Sequence, residues 1–571
     1  MNGIVRRVVA FLVVCSFGAY VPVMAGSDVV LDAMQLELDR AMNELEDAGD
    51  APMYYLQYSV CERRDYSLSA SNGAFESPNS SYRRYLDVDV RVGSPQLDNT
   101  HEIRGGDWRD NYTPRRVIDY PLEGNLDALR ASLWAETEYQ FQKAQERYTK
   151  VLTNQQVKVE EADKSDDFSL TEPQRFEEEI EITEIDTAYW RSIMSSVADY
   201  FTSFPFVYDS GIWLAVTDQL TYMVSSEGHR LKHGNHYLRL GLGVSGMAED
   251  GMELDRHHIF SSATMGRLAA EDEVMEAAER LVRELEELID APLVEPYIGP
   301  AVLRNRASGV FFHEIFGHRM EGHRQKSERE GQTFTKKVGE QILPEFISVY
   351  DDPSMSIFQG TELRGYYKFD DEGALARRVN LVENGVLRNF LMSRSPIENF
   401  PTTNGHGRRQ YGYDVVSRQG NLIIESSNAV PYERLREMLI EECQDQDKPY
   451  GLIFDDISGG FTMTGRRGPQ AFKVLPLLVY RVYADGRPDE VVRGVDIVGT
   501  PLTSFSKIIV TADDDGVFNG TCGAESGMIP VSAVSPSILV SEIEVEKRQK
   551  EQEKPPILPP PGHDQESGFG M

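Results

Sequence analysis

Apolar residues recur at spacings of three and four through Leu31, Met34, Leu38 and Met42, so the stretch 31–45 reads as an amphipathic helix. The period then drops to two. Around Tyr54–Val60 and Tyr85–Val92 the pattern is that of strands, the second alternating as Leu86, Val88, Val90 and Val92. From Leu126 to Leu152 the helical period returns, with Leu126, Leu129, Leu133, Phe141, Ala144, Tyr148 and Leu152 on one stripe. Such a stripe packs a helix on its own domain or seats a partner in a coiled coil, and packing is the simpler reading. The segment Val159–Asp186 is acidic, holds Glu177-Glu178-Glu179, and reads as a solvated loop or hinge.

A further helix carries Trp190, Ile193, Val197 and Phe201, and strands and turns dominate from Val207 to Ser262. Within them His233 and His236 have a spacing that suits a metal, but a turn at Gly234 explains it better. Met265 to Ile289 is again helical and stops before Pro292, where we place a domain boundary. Short β-rich runs follow, with one helix near Tyr432–Glu442. The expectation is an α+β protein of two domains: 26–292, with an insertion at about 120–186, and 293–546. A disordered proline-rich tail follows at 547–571.

Composition adds limits. The 571 residues carry 92 Asp+Glu against 58 Lys+Arg, a formal charge of −34, which argues against a nucleic-acid partner. At the start, Arg6-Arg7, the apolar Val8–Val23 and Val23-Met24-Ala25 match a signal peptide over 1–25. The expectation is an exported protein, periplasmic or extracellular, with no stable membrane span once the signal is cleaved. Cleavage would leave Cys61, Cys443 and Cys522. Cys61 and Cys443 pair in a disulfide or stay as buried singletons; the sequence leaves both open.

The chemistry concentrates in Ser308-Gly-Val-Phe-Phe-His313-Glu314-Ile-Phe-Gly-His318-Arg-Met-Glu-Gly-His323. Ser308 is a candidate N-cap, and the apolar flank would bury the segment. Zinc-peptidase helices space two histidines at i and i+4, whereas His313 and His318 are five apart. On a regular helix their rings would diverge by roughly 140°. Shared metal binding therefore requires a distortion, for which a π-bulge eased by Gly317 is the candidate. On spacing alone the pair is a weak motif.

The wider pattern resembles the TldD/PmbA family of zinc metallopeptidases, the modulators of DNA gyrase. An ordered series carries the resemblance between about Leu303 and Val545. It runs His313-Glu-Ile-Phe-Gly-His318-Arg-Met-Glu-Gly322, Asp370-Asp-Glu-Gly373, Leu381-Val-Glu-Asn-Gly-Val-Leu387 and Asn404-Gly-His-Gly-Arg-Arg409. It continues with Gly459-Gly460, Arg493-Gly-Val-Asp-Ile-Val-Gly499 and Gly520-Thr-Cys522-Gly523, ahead of Val531–Ser537. Upstream the match is looser, chiefly Ser226-Glu227-Gly228, and Tyr120–Asp186 has the look of an insertion.

The resemblance implies an N-terminal α/β domain, a β-rich C-terminal peptidase domain and a zinc ion (Zn2+) held by His313, His318 and Cys522. It also implies Glu314 as general base. Two imidazoles and a thiolate leave a position open for water, as catalytic zinc sites do. His323 stands where the family pattern has an acidic residue and is an alternative third ligand. By resemblance alone Asp371, Arg408, Gly459 and Gly460 belong to the substrate cleft, while for Asp370–Glu372 a turn at Gly373 is an equal alternative. The implied activity is hydrolysis of unfolded or extended polypeptide. The implied assembly is a homodimer, or a heterodimer with a TldE/PmbA-like partner. Two other readings stand beside it: a non-catalytic assembly subunit, and Cys522 as a nucleophile, which would leave Glu314 without a role.

Overall fold

The computed structural model describes residues 28–105, 115–157, 163–466, 471–500 and 504–548. The proposed signal segment, and all of the proline-rich tail beyond residue 548, lie outside them. The molecule is α+β, built on three principal sheets.

The first sheet is organised by unusually long strands. Met53–Ser71 lies between Asn79–Ser94 and Asp209–Ser225, and Arg230–Met247 and Glu253–Ser262 extend the sheet, all antiparallel. A strand of 19 residues spans about 60 Å, more than one helix pair can cover. Leu56, Tyr58, Val60, Leu68 and Ala70 share one face by parity, and register sets Val60 beside Leu86 and Tyr222. That face carries two cores. The helices Val29–Leu45 and Leu126–Val157 cover one end, and Thr187–Thr202 and Glu271–Asp290 cover the other.

The opposite face is polar and packs on the C-terminal region. Arg115 bridges Asp89 at 2.9 Å and Asp414 at 3.1 Å, and Arg409 pairs with the buried Asp87. Glu227, from the Ser226-Glu227-Gly228 motif, takes Arg394 at 2.6 Å. The acidic segment before residue 187 is, as expected, a largely exposed loop, but it is anchored to the fold. Its Phe168 is buried between the guanidinium groups of Arg91 and Arg394, at 3.9 and 4.0 Å from the ring centre. Arg175–Glu177 adds a short parallel strand beside Arg230–Lys232. His233 and His236 are not at a turn. They lie inside Arg230–Met247, where Gly234 makes room for Ile180 and His236 Nδ1 meets Asp218 at 2.6 Å.

The C-terminal region sandwiches one helix between two mixed sheets. Tyr297–Leu303, Tyr450–Thr462, Phe472–Tyr483, Val495–Gly499, Ile538–Lys547 and Ile508–Ala512 belong to an eight-stranded sheet. Ile347–Asp351, Val379–Glu383, Asn421–Ser426, Gly527–Ser535 and Gly516–Ala524 belong to a six-stranded one. Between them runs Asn305–Ile315, whose Val310, Phe311, Phe312 and Ile315 fill the common core. Gly309 lets it approach closely, since a Cβ there would lie 3.2 Å from the Ala533 carbonyl oxygen. Ser308 is not the N-cap: Arg304 holds that position, and Ser308 is buried within the helix, 2.8 Å from Ser535 Oγ.

Candidate metal centre

The helix Asn305–Ile315 delivers His313 and Glu314 from its last turn and then stops. Phe316 stays in the right-handed helical region but far from the ideal φ (φ −103°, ψ −56°), its amide still bonded to the Phe312 carbonyl, and Gly317–Met320 continues as a 3-10 turn that carries His318. The spacing of five is accommodated by ending the helix and tightening the chain, not by the π-bulge expected from the spacing. The two rings come to lie 5.1 Å apart, inclined by 75°. Gly317 is needed for packing as well: a Cβ there would fall 1.8 Å from Oε1 of the buried Gln419.

Cys522 arrives from the edge strand Gly516–Ala524, its Sγ 3.3 Å from His318 Nε2. His313, His318 and Cys522 are buried, and each offers a ligand atom within 4.8 Å of the others. Among the described residues this is the one group of three or more His, Cys, Asp or Glu side chains so placed. Cys61 and Cys443 are separate buried thiols, not a disulfide.

The electrostatics follow from the geometry. Burial pushes the Cys522 thiol up, but His318 and His313 outweigh it and hold the group well below its ordinary range. Burial pushes His318 down, yet Cys522 and Glu321 lift it well above the usual imidazole range. A thiolate facing two imidazoles is a set that calls for a cation, and His313 Nδ1 is buried with no hydrogen-bond partner. The donors fit a zinc ion.

Around them is a supporting shell that the sequence reading missed. Glu321 holds His318 Nδ1 at 3.3 Å, as carboxylates orient metal-binding histidines. Burial raises its carboxyl, but His318 and Arg324 outweigh that and bring it to about 2. Arg324 donates to Glu321 at 2.8 Å, and Arg418 lies 3.4 Å from it while donating to the Cys522 carbonyl at 2.9 Å. His323 is engaged elsewhere, its Nε2 against Glu525.

Glu314 points into the same space, 3.9 Å from His318 Nε2, and burial raises its carboxyl above the ordinary range. Gly460 presses against it: a Cβ there would lie 2.8 Å from Glu314 Cγ. Gly460 is thus beside Glu314, with Gly459 preceding it in open space, whereas Asp371 and Arg408 are joined to each other at 3.3 Å on the interface with the first sheet. Asp370 accepts from the backbone of Glu372 and Ala374, forming the turn at Gly373. Asp371 also lines a cavity of about 1590 Å³ between the two halves of the molecule. This cavity reaches His323 and Glu525, close to the Cys522 strand, and Tyr139 and Lys143 of the helix Leu126–Val157 form part of its wall.

Residues 297–547 match the family described as PmbA/TldA metallopeptidase, C-terminal domain. This region belongs to the TldD/PmbA family. A metalloprotease of Archaeoglobus fulgidus is 28% identical over 276 residues, 47% of this chain and 58% of that protein. The zinc metalloprotease TldD homolog of Saccharolobus solfataricus is 24% identical over 254 residues, 43% of this chain and 51% of its own length. The chain spans about half the length of these relatives. In fold the likeness covers more. A putative modulator of DNA gyrase from Thermotoga maritima superposes with a TM-score of 0.58 at 17% identity, over 90% of this chain and 99% of that one. TldE from Thermococcus kodakarensis gives 0.56 at 14% identity, over 89% and 100%.

These likenesses correct the expectation of a signal peptide and an exported, periplasmic or extracellular protein. The structural neighbours are described as a putative modulator of DNA gyrase and as TldE. Among the described residues no helix is long and apolar enough to cross a membrane. A basic pair before a short apolar run, broken here by Ser16, Gly18 and Pro22, is too general a pattern to outweigh them.

Proposed function

We propose that the protein is a zinc-dependent peptidase acting on unfolded or extended polypeptide, with His313, His318 and Cys522 as ligands and Glu314 as general base. One observation carries this reading: three metal-binding side chains, brought together from a broken helix and a distant edge strand, with a buried carboxylate beside them. Zinc held there supplies a Lewis acid and a water of lowered pKa. Glu314 takes the proton of the attacking water and delivers one to the leaving amine; its burial raises its affinity for that proton. Glu321 keeps the His318 ring turned so that Nε2 faces Cys522.

Substrate binding follows from two open strand edges. Gly516–Ala524 is the last strand of its sheet, and residues 457–462 pair on one side only, with Phe472–Tyr483. An extended peptide laid along them pairs through its main chain, which reads shape rather than sequence. Gly459 and Gly460 leave room for it beside Glu314, and Asp371 braced by Arg408 faces the adjoining cavity. A second copy or a TldE-like partner completes the assembly in this reading.

The test is a peptide-library digest read by mass spectrometry, with zinc content measured on the same preparations. Glu314→Gln should keep zinc while cleavage falls by about 10²-fold or more. Cys522→Ser should lose zinc and cleavage together. Full zinc in Cys522→Ser with cleavage abolished, alongside an active Glu314→Gln, would instead make Cys522 the nucleophile. A zinc-free wild type with no cleavage would favour the assembly subunit.

A further inference from the structure

On the polar face of the first sheet, three buried side-chain atoms in one neighbourhood have no hydrogen-bond partner. Arg239 and Ser261 are direct cross-strand neighbours, and Arg239 Nε and Ser261 Oγ have no hydrogen bond. Arg364 Nε is buried and unpartnered as well. The chain brings Arg364 there through Glu362, which accepts from Ser262 Oγ and from the Ala263 amide, both at 2.6 Å. Glu362 is thereby spent on other donors, and its further neighbour is Arg267 at 3.6 Å. Among the described residues neither Arg239 nor Arg364 has a carboxylate within ion-pair distance. Neither charge is compensated by a carboxylate, and burial together with the charge of Arg239 lowers Arg364 to about 10. In a chain of net charge −34 two uncompensated arginines side by side are conspicuous.

Orphaned buried donors cost free energy unless something accepts from them. Two of the orphans belong to cationic guanidinium groups and the third is a hydroxyl able to donate, so an oxyanion would satisfy all three and match the forked guanidinium groups. Trp213 provides a wall, its ring centre 4.9 Å from the Arg239 guanidinium carbon. The side chains are only partly covered, so an anion reaches them from solvent.

We infer that Arg239, Ser261 and Arg364 form an oxyanion-binding site that takes a carboxylate of the peptide substrate or free inorganic phosphate. The Arg364 amide donates to Asn519 Oδ1 at 3.1 Å, on the strand that bears Cys522. Three residues along a strand is about 10 Å, within reach of a carboxylate on a peptide lying along that edge. The phosphate form of the site is independent of the proposed peptidase activity; the substrate form rests on it.

The test uses the full chain as wild type, Arg239→Gln, Arg364→Gln and Arg364→Lys. Titration calorimetry with inorganic phosphate should show saturable binding by wild type, weakened about tenfold or more in both Gln variants and partly kept by Arg364→Lys. In phosphate-free buffer the Gln variants should melt no lower than wild type, because each removes one of two repelling charges. A lower melting temperature would make the arginines structural and overturn the site. In parallel, matched peptides ending in a carboxylate or an amide are digested. A wild-type preference for the acid that disappears in the Gln variants supports the substrate carboxylate as occupant. Weakened phosphate binding with an unchanged acid-to-amide ratio supports the site and assigns it to free phosphate. No phosphate binding by wild type, with a ratio indifferent to the substitutions, overturns the proposal. Failure of wild type to cleave any peptide counts against the peptidase reading alone, and the phosphate titration then decides the site.

Discussion

Glu321 shows how much a single residue contributes to this centre without being a ligand. It is fully buried and carries its charge only because His318, Arg324 and Arg418 surround it. Glu321→Gln keeps the shape but leaves two arginines short of an anion and weakens the orientation of His318. Zinc affinity, measured by competition with a chromophoric chelator, should fall by about 10–100-fold while Glu314 is untouched. Unchanged affinity would mean that His318 is positioned by packing alone. Residues of this kind differ in how far a sequence exposes them. Glu321 lies three positions after His318, so a capping or orienting role is readable from helical spacing once the ligand is suspected. Arg418 and Gln419 come from a short extended stretch with no period of its own. They reach the centre only through the packing of the six-stranded sheet on the histidine helix. His323 is the converse case, a histidine at a suggestive spacing that tertiary structure gives to Glu525.

At the scale of elements, the long helices and strands follow the periodicity, and the departures have local causes. The predicted helix at 126–152 is found as Leu126–Val157, and that at 432–442 as Tyr432–Asp445. The region around His233 looks broken in sequence because Gly234 interrupts it, but the glycine serves a crossing side chain, Ile180, rather than a turn. The decisive element is the break after Ile315. Spacing alone shows that a regular helix would fail to bring His313 and His318 together, but not that the chain would tighten rather than bulge. Gly317 makes this testable. An alanine methyl there meets Gln419, which is buried and has nowhere to retreat, so Gly317→Ala should cost about 1–3 kcal/mol by urea denaturation. It should also weaken zinc binding by displacing the turn that bears His318. Adding Gln419→Ala should restore most of the stability. A double variant no more stable than the single one would place the strain in the backbone instead.

For the whole molecule, the junction between the first sheet and the C-terminal region is the part least legible in sequence. It is made of charged and histidine side chains that no hydrophobic pattern marks, scattered from Asp87 to Asp414. Its chemistry nonetheless gives a definite pH response. His229 is buried at this junction, accepting the Gln174 amide on Nδ1 at 3.0 Å, with Nε2 3.0 Å from Thr171 Oγ1. Burial, with Arg394 nearby, lowers it to about 4. Burial likewise brings His233, stacked near Phe369, and His258, beside Arg280, to about 4. Their unfolded values lie near 6.5. Between these limits the unfolded chain binds protons that the folded chain refuses, so the folded state loses stability as pH falls from about 6.5 to 4. Below about 4 these three groups contribute no further slope. Taken together the loss is on the order of several kcal/mol. It is measured as the melting temperature against pH, comparing wild type with His229→Gln so that proton uptake at the metal ligands cancels in the difference. The variant, which cannot take up the proton, should show a shallower fall across pH 6.5 to 4 and parallel behaviour above it. An identical slope in the two proteins would mean that His229 is protonated in the folded state, and the neutral, hydrogen-bonded junction would have to be abandoned.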